Sequence, residues 1–171
     1  MMILDSPQAM AHATEQLCHC EPRMAEVVRR IGPCQMAPWQ YSLFERLIYS
    51  VVGQQLSMQA ARTIRSRLLA TLACEPGALT ASAILACSSD KLRRAGLSGA
   101  KVRAIVGIAM HWHKHPDWER ELKHLDDAAL QAALVQLPGV GPWTAHMVMM
   151  FGLGRPDVWP VGDLGIRKAM Q

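Results

Sequence analysis

The stretch Leu137-Pro138-Gly139-Val140-Gly141-Pro142-Trp143-Thr144-Ala145 decides how this chain is read. It lies between two segments of helical pattern. Glycines at 139 and 141 remove Cβ atoms and allow positive φ. Pro142 falls at the start of the next helix, where its missing N–H costs nothing. The N–H groups that follow have no partner within the helix, and a phosphate is a natural one. Val140 is the expected apolar peg that fixes the hairpin to the core. Backbone carbonyls at Val135, Leu137 and Val140 could hold a monovalent cation, sodium or potassium, that bridges to a second phosphate. Pro and Gly also punctuate plain inter-helix turns. The full run L-P-G-V-G-x-W-T-A, with a helix on each side, favours a grip on a nucleic-acid backbone through Gly139, Gly141 and Thr144.

Helical signals extend outward from this hairpin in both directions. Leu125-Asp126-Asp127 caps a helix through Leu134, and a helix is expected from about Trp143 to Phe151. A loop from 152 to 162 follows, and a last helix starts near Asp163 or Leu164. Upstream, Leu43, Leu47, Ile48, Val51, Val52 and Leu56 fall three and four residues apart, which suits a buried helix face. Gly53-Gln54-Gln55 interrupts that pattern, and a second helix runs from about Met58 to Leu72. Shorter helices are expected over Thr80–Ala86, Ser88–Arg94 and Lys101–His111. His115-Pro116-Asp117 breaks the chain. Roughly eight or nine helices and no credible sheet define an all-α protein. A second turn resembles the hairpin: Leu92-x3-Gly96-Leu97-Ser98-x2-Lys101.

The 171 residues suffice for one compact domain or two small lobes, and half of them are apolar. The segments read as an N-terminal helical part over 1–38 that packs on the C-terminal part, a helical lobe over 39–125 and the hairpin part over 126–171. The net charge of +4 permits a nucleic-acid partner without demanding one. Lys and Arg are spread along the chain, so affinity should come from a shaped surface. No apolar run is long enough to span a membrane, and the first ten residues do not read as a signal peptide. Cys18, Cys20, Cys34, Cys74 and Cys87 are odd in number, which fits a reducing compartment. Cys18-His19-Cys20 is too tight for a metal knuckle, and His111, His113 and His115 read as a solvated face.

Four ordered blocks make the chain similar to the helix-hairpin-helix DNA glycosylase superfamily, and within it to the 3-methyladenine DNA glycosylase II branch. They are Gly53-Gln54-Gln55-Leu56-Ser57, Gly96-Leu97-Ser98-x-x-Lys101, Leu137 to Ala145, and Trp159 to Lys168. The resemblance implies a two-lobed all-α fold. Relatives continue for several helices past the point where this chain ends, so those C-terminal helices are expected to be missing here. It implies a bacterial-type, cytoplasmic, monomeric enzyme acting on double-stranded DNA, with no membrane role. No iron–sulfur cluster is expected, because no cysteine follows Cys87.

The resemblance also assigns roles. Asp163 would be the catalytic carboxylate beside the sugar, although alone it reads as an N-cap. Trp143 stands where bifunctional members carry a Schiff-base lysine, so strand cleavage is not expected. Trp143, Met147 and Trp39 would wall a base pocket; for Trp143 core packing, and for Trp39 a helix-start staple, serve as well. Gln55 and Leu56 would form the wedge that fills the gap left by a flipped base, or Gln55 is a polar helix break. Ser98 and Lys101 would contact phosphate, or Lys101 is a solvated charge. The expected activity is excision of 3-methyladenine and 7-methylguanine. A DNA-binding module without catalysis, or a glycosylase for another lesion, are the alternatives.

Overall fold

The computed structural model describes residues 3–34 and 41–171. Trp39, one of the proposed pocket walls, lies outside the described residues. Helices α1 (Pro7–Cys20) and α2 (Pro22–Ile31) pack on each other. They are followed by α3 (Leu43–Gly53), α4 (Met58–Leu72), α5 (Ala81–Ala86), α6 (Ser89–Arg94) and α7 (Gly99–Lys114). Next come α8 (Trp118–Lys123), α9 (Asp127–Leu134) and α10 (Pro142–Met147). A π-helical turn (Val148–Gly152) and α11 (Leu164–Ala169) complete the chain. No strand occurs among the described residues, so the all-α expectation holds.

The boundaries follow from caps. The side chains of Ser42, Ser57, Thr80, Ser88, Ser98, Asp126 and Asp163 each accept the N–H three residues on. Each fills one of the donors that a helix start leaves open. The expected helix from Trp143 to Phe151 is divided instead, with α10 passing into the π turn. Wider winding there buries Val148 and Met149 in the core while Met147 and Phe151 line a surface pocket.

Helix α3 is the centre of the core. It packs on α4, α7, α10 and the π turn, and its Leu47 and Ile48 are fully buried beside Ile105, Ile108 and Leu134. Truncating Leu47 or Ile105 to alanine would cost about 2–5 kcal/mol. Polar bonds tie the loops to this core. Buried Glu45 accepts the Tyr49 hydroxyl and the Gly77 amide, and the Leu43 amide donates to Glu119 on α8 at 3.2 Å.

Buried Arg155 anchors the loop between the π turn and α11, and with it the start of α11. Its guanidinium reaches Asp127 at 3.1 Å and the carbonyls of Lys123 and Leu125. The N-terminal segment joins the same loop through the Leu4 amide, which donates to the Gly154 carbonyl at 2.7 Å. Gly154 has φ +63, and a Cβ there would lie 2.7 Å from the Leu4 carbonyl oxygen, so no other residue fits.

Candidate functional site

The hairpin between α9 and α10 is held from below. The side chains of Leu137 and Val140 are buried, so the expected peg is in place. The Val140 amide closes the turn on the Leu137 carbonyl at 3.1 Å. Gly139 has φ +78, and a Cβ there would sit 2.7 Å from Ala104 Cβ. Gly107 on α7 leaves the matching space, since its Cβ would lie 2.6 Å from Pro138.

Gly141 differs from the sequence expectation. Its φ is −90, and nothing lies within 4 Å of where its Cβ would be. The chain itself does not require a glycine there; bare backbone simply faces open space. No side chain caps α10, and Gly141, Pro142 and Trp143 are exposed. Thr144 is a correction. Its side chain is buried, and Oγ1 accepts the Gln54 amide at 3.0 Å, so only its main-chain N–H, at the uncapped start of α10, is left for a backbone contact.

The Gln54–Ser57 turn faces the hairpin. Gln55 adopts φ +57, a conformation that costs a non-glycine residue roughly 1–3 kcal/mol. Gln55 and Leu56 are both exposed. The second turn corrects the expectation of a phosphate contact from the Lys101 ammonium. Ser98 accepts the Lys101 amide as the cap of α7. The Lys101 ammonium turns inward, donating to the carbonyls of Val52 at 2.7 Å and Gln54 at 2.9 Å. Burial lowers the pKa of this amine. Its charge instead complements the carbonyl end of α3.

Asp163 caps α11. Its Oδ1 accepts the Ile166 amide at 3.1 Å, and its Oδ2 accepts the Trp143 indole N–H at 2.8 Å. The indole bond is the largest cause of a lowered pKa, followed by the Ile166 bond. The carboxylate is therefore ionised and fixed in direction. Gly165 leaves it room, since a Cβ there would lie 3.0 Å from Oδ1.

The same Trp143 lines an apolar pocket of about 320 Å³, together with Tyr49, Ser50, Gly53, Leu56, Met58, Ala61, Met147 and Phe151. The structure thus brings Asp163, Trp143, Met147 and Leu56 to one place. A shallower hollow of about 410 Å³ lies between Gln54, Gln55 and the hairpin start from Gly139 to Thr144. A third, also of about 410 Å³, shares Tyr49, Met58 and Ala61 with the apolar pocket and adds Tyr41, Arg62 and Arg65. Sequence reading missed Phe151 and Gln54. Phe151 stands four residues beyond Met147 on the same face, so spacing could have found it. For Gln54 no local signal exists.

His113 and His115 are exposed as expected, but His111 is half-buried. Its ring packs 4.3 Å from Trp118 and 4.7 Å from His115, and burial lowers its pKa. Among the described residues no group of His, Cys, Asp and Glu could hold a metal ion.

Residues 48–171 match the HhH-GPD superfamily of base excision DNA repair proteins. The DNA-3-methyladenine glycosylase 1 of Schizosaccharomyces pombe is 32% identical over 127 residues, covering 73% of this chain and 55% of that protein. The solved DNA-3-methyladenine glycosidase of Bacillus halodurans superposes with a TM-score of 0.80 at 30% identity, covering 97% of this chain and 73% of that one. A 3-methyladenine DNA glycosylase of Schizosaccharomyces pombe, solved with abasic DNA, gives 0.76 at 27% identity and covers 93% and 78%. The chain spans about half the length of the curated relatives it matches.

Proposed function

The chain belongs to the HhH-GPD superfamily of base excision DNA repair proteins, and from that premise we propose that it is a monofunctional DNA glycosylase for alkylated purines such as 3-methyladenine and 7-methylguanine. One observation carries the reading. A carboxylate held by two N–H donors stands beside an apolar pocket, and a single indole forms part of both.

The chemistry follows from that placement. The hairpin start grips the backbone of a damaged duplex through the amides at Gly141 and beyond. Leu56 and Gln55 enter the gap left when the damaged nucleotide swings out. The base enters the pocket against Trp143, Met147 and Phe151, where an aromatic face suits a cationic alkylated purine. The C1′–N bond breaks with its electron pair leaving on the base. The base departs neutral because alkylation had already made it cationic. The ionised Asp163 stabilises the oxocarbenium ion, and water adds to C1′ as its proton passes to the Asp163 carboxylate and on to solvent. With Trp143 at the lysine position, no Schiff base forms and the strand stays intact. The carbonyls of Val135, Leu137 and Val140 would hold a monovalent cation against a neighbouring phosphate. This fits the hairpin, where the Leu137 oxygen carries one N–H and keeps a free lone pair.

The test is incubation with methylated duplex DNA. The expected products are free methylated purines and a strand that breaks only after alkali. Binding without release would leave a DNA-binding module in place of an enzyme. Release confined to another lesion would move the substrate, and nicking without alkali would contradict the reading of Trp143.

A further inference from the structure

Gln54 lies between the two DNA-facing parts of the protein and contacts both. We propose that it is a positioning residue that registers the wedge turn on the hairpin, with Lys101 as its brace. This rests on the chain being a glycosylase. The amide nitrogen of Gln54 donates to the Gly139 carbonyl at 2.8 Å and to Thr144 Oγ1 at 3.0 Å. Those acceptors flank the open backbone of Gly141, and the first lies 85 residues away in the chain. Thr144 is buried and Gly139 is locked against Ala104, so both acceptors are fixed in place.

The main chain of Gln54 is held from the other side. Its carbonyl and that of Val52 take two of the three Lys101 ammonium protons. Beyond Gln54 the wedge has little support of its own. Gln55 sits in a left-handed conformation, Leu56 bonds back only to the Gly53 carbonyl at 3.2 Å, and both side chains are exposed. Wedge and grip must nevertheless act on the same nucleotide. If the turn drifts, Leu56 enters the duplex at a place that does not deliver the sugar to Asp163. Side-chain bonds from one residue to the hairpin, backed by an ammonium on the turn, remove that freedom before DNA arrives.

The experiment compares wild type, Gln54→Met, Leu56→Ala and the double variant in single-turnover release from methylated duplex. Methionine keeps the length and removes both N–H donors. Gln54→Met should slow release about tenfold. In the Leu56→Ala background the same change should have a smaller effect, because only Gln55 is left of the wedge to register. Lys101→Met should act in the same direction, and Lys101→Arg should restore the rate. Hydrogen exchange of the free protein separates this inference from the glycosylase reading, since it needs no activity. The amides of Gln54 and Leu56, which bond to the carbonyls of Val51 and Gly53, should lose protection in Gln54→Met, while protection in the α3 core stays unchanged. Unchanged protection at the turn, or losses from Gln54→Met and Leu56→Ala that simply multiply, would overturn the proposal.

Discussion

The two glycine turns of this protein start alike and end differently. Gly96 and Gly139 both have positive φ and both press on a neighbouring helix, at Ile64 and Ala104 respectively. Both turns are pegged by buried apolar residues, Leu97 in one and Leu137 with Val140 in the other. After the glycine they part. Ser98 caps α7, and Lys101 folds inward onto the end of α3. Gly141 leaves α10 uncapped and facing open space. The first turn fills one of its open donors, the Lys101 amide, with the Ser98 hydroxyl. The second fills none with a side chain. Capping, more than glycine content, distinguishes the two turns.

Substitutions in the two turns sharpen this contrast. The largest effect is expected from Gly139→Ala. Left-handed backbone and the approach to Ala104 should together cost roughly 1–3 kcal/mol. Gly96→Ala should cost less, because the flexible Ile64 side chain can yield at 3.2 Å. Thermal melts of the two variants check the order, and equal losses would break the comparison. Next is Ser98→Ala, which should lower stability by about 1 kcal/mol and leave affinity for abasic duplex unchanged. Gly141→Ser should do the opposite. A serine cap would add a few tenths of a kcal/mol to stability while occupying the donors meant for phosphate, so affinity should fall severalfold.

The smallest expected effect is a pH shift. Asp163 has a lowered pKa, so its bonds to Trp143 and Ile166 are fully present above the unfolded value of about 3.9 and fade as pH falls through the lower folded value. Base release should therefore show no acid limb at or above that value. In Trp143→Phe the limb should move upward, because the largest cause of the lowering is gone. A limb that stays in place would detach Trp143 from the acid.

Much of the fold and part of the site are legible in the sequence because they are local. Caps such as Ser57, Thr80, Ser88 and Asp126 announce their helices within three residues. The peg at Val140 follows from the hairpin motif, and Asp163 is singled out through the family resemblance. What the sequence hides depends on where side chains end up after packing. Lys101 looks like a surface charge until α7 lies across the end of α3. Thr144 looks available until Gln54 covers it. Helix α8 escapes notice because its apolar pattern is short and follows Pro116, and the π turn leaves no mark in the periodicity around Met147. The N-terminal segment is expected as helical content lying on the C-terminal part, but the packing of α1 on α2 is not written in either one.

The most direct test compares base release and abasic-duplex affinity for wild type and Asp163→Asn. Asparagine can still cap α11 and keep the fold, but it carries no charge for the sugar cation. The account predicts release lowered at least about a hundredfold with DNA affinity retained. Equal release by the two proteins would contradict it.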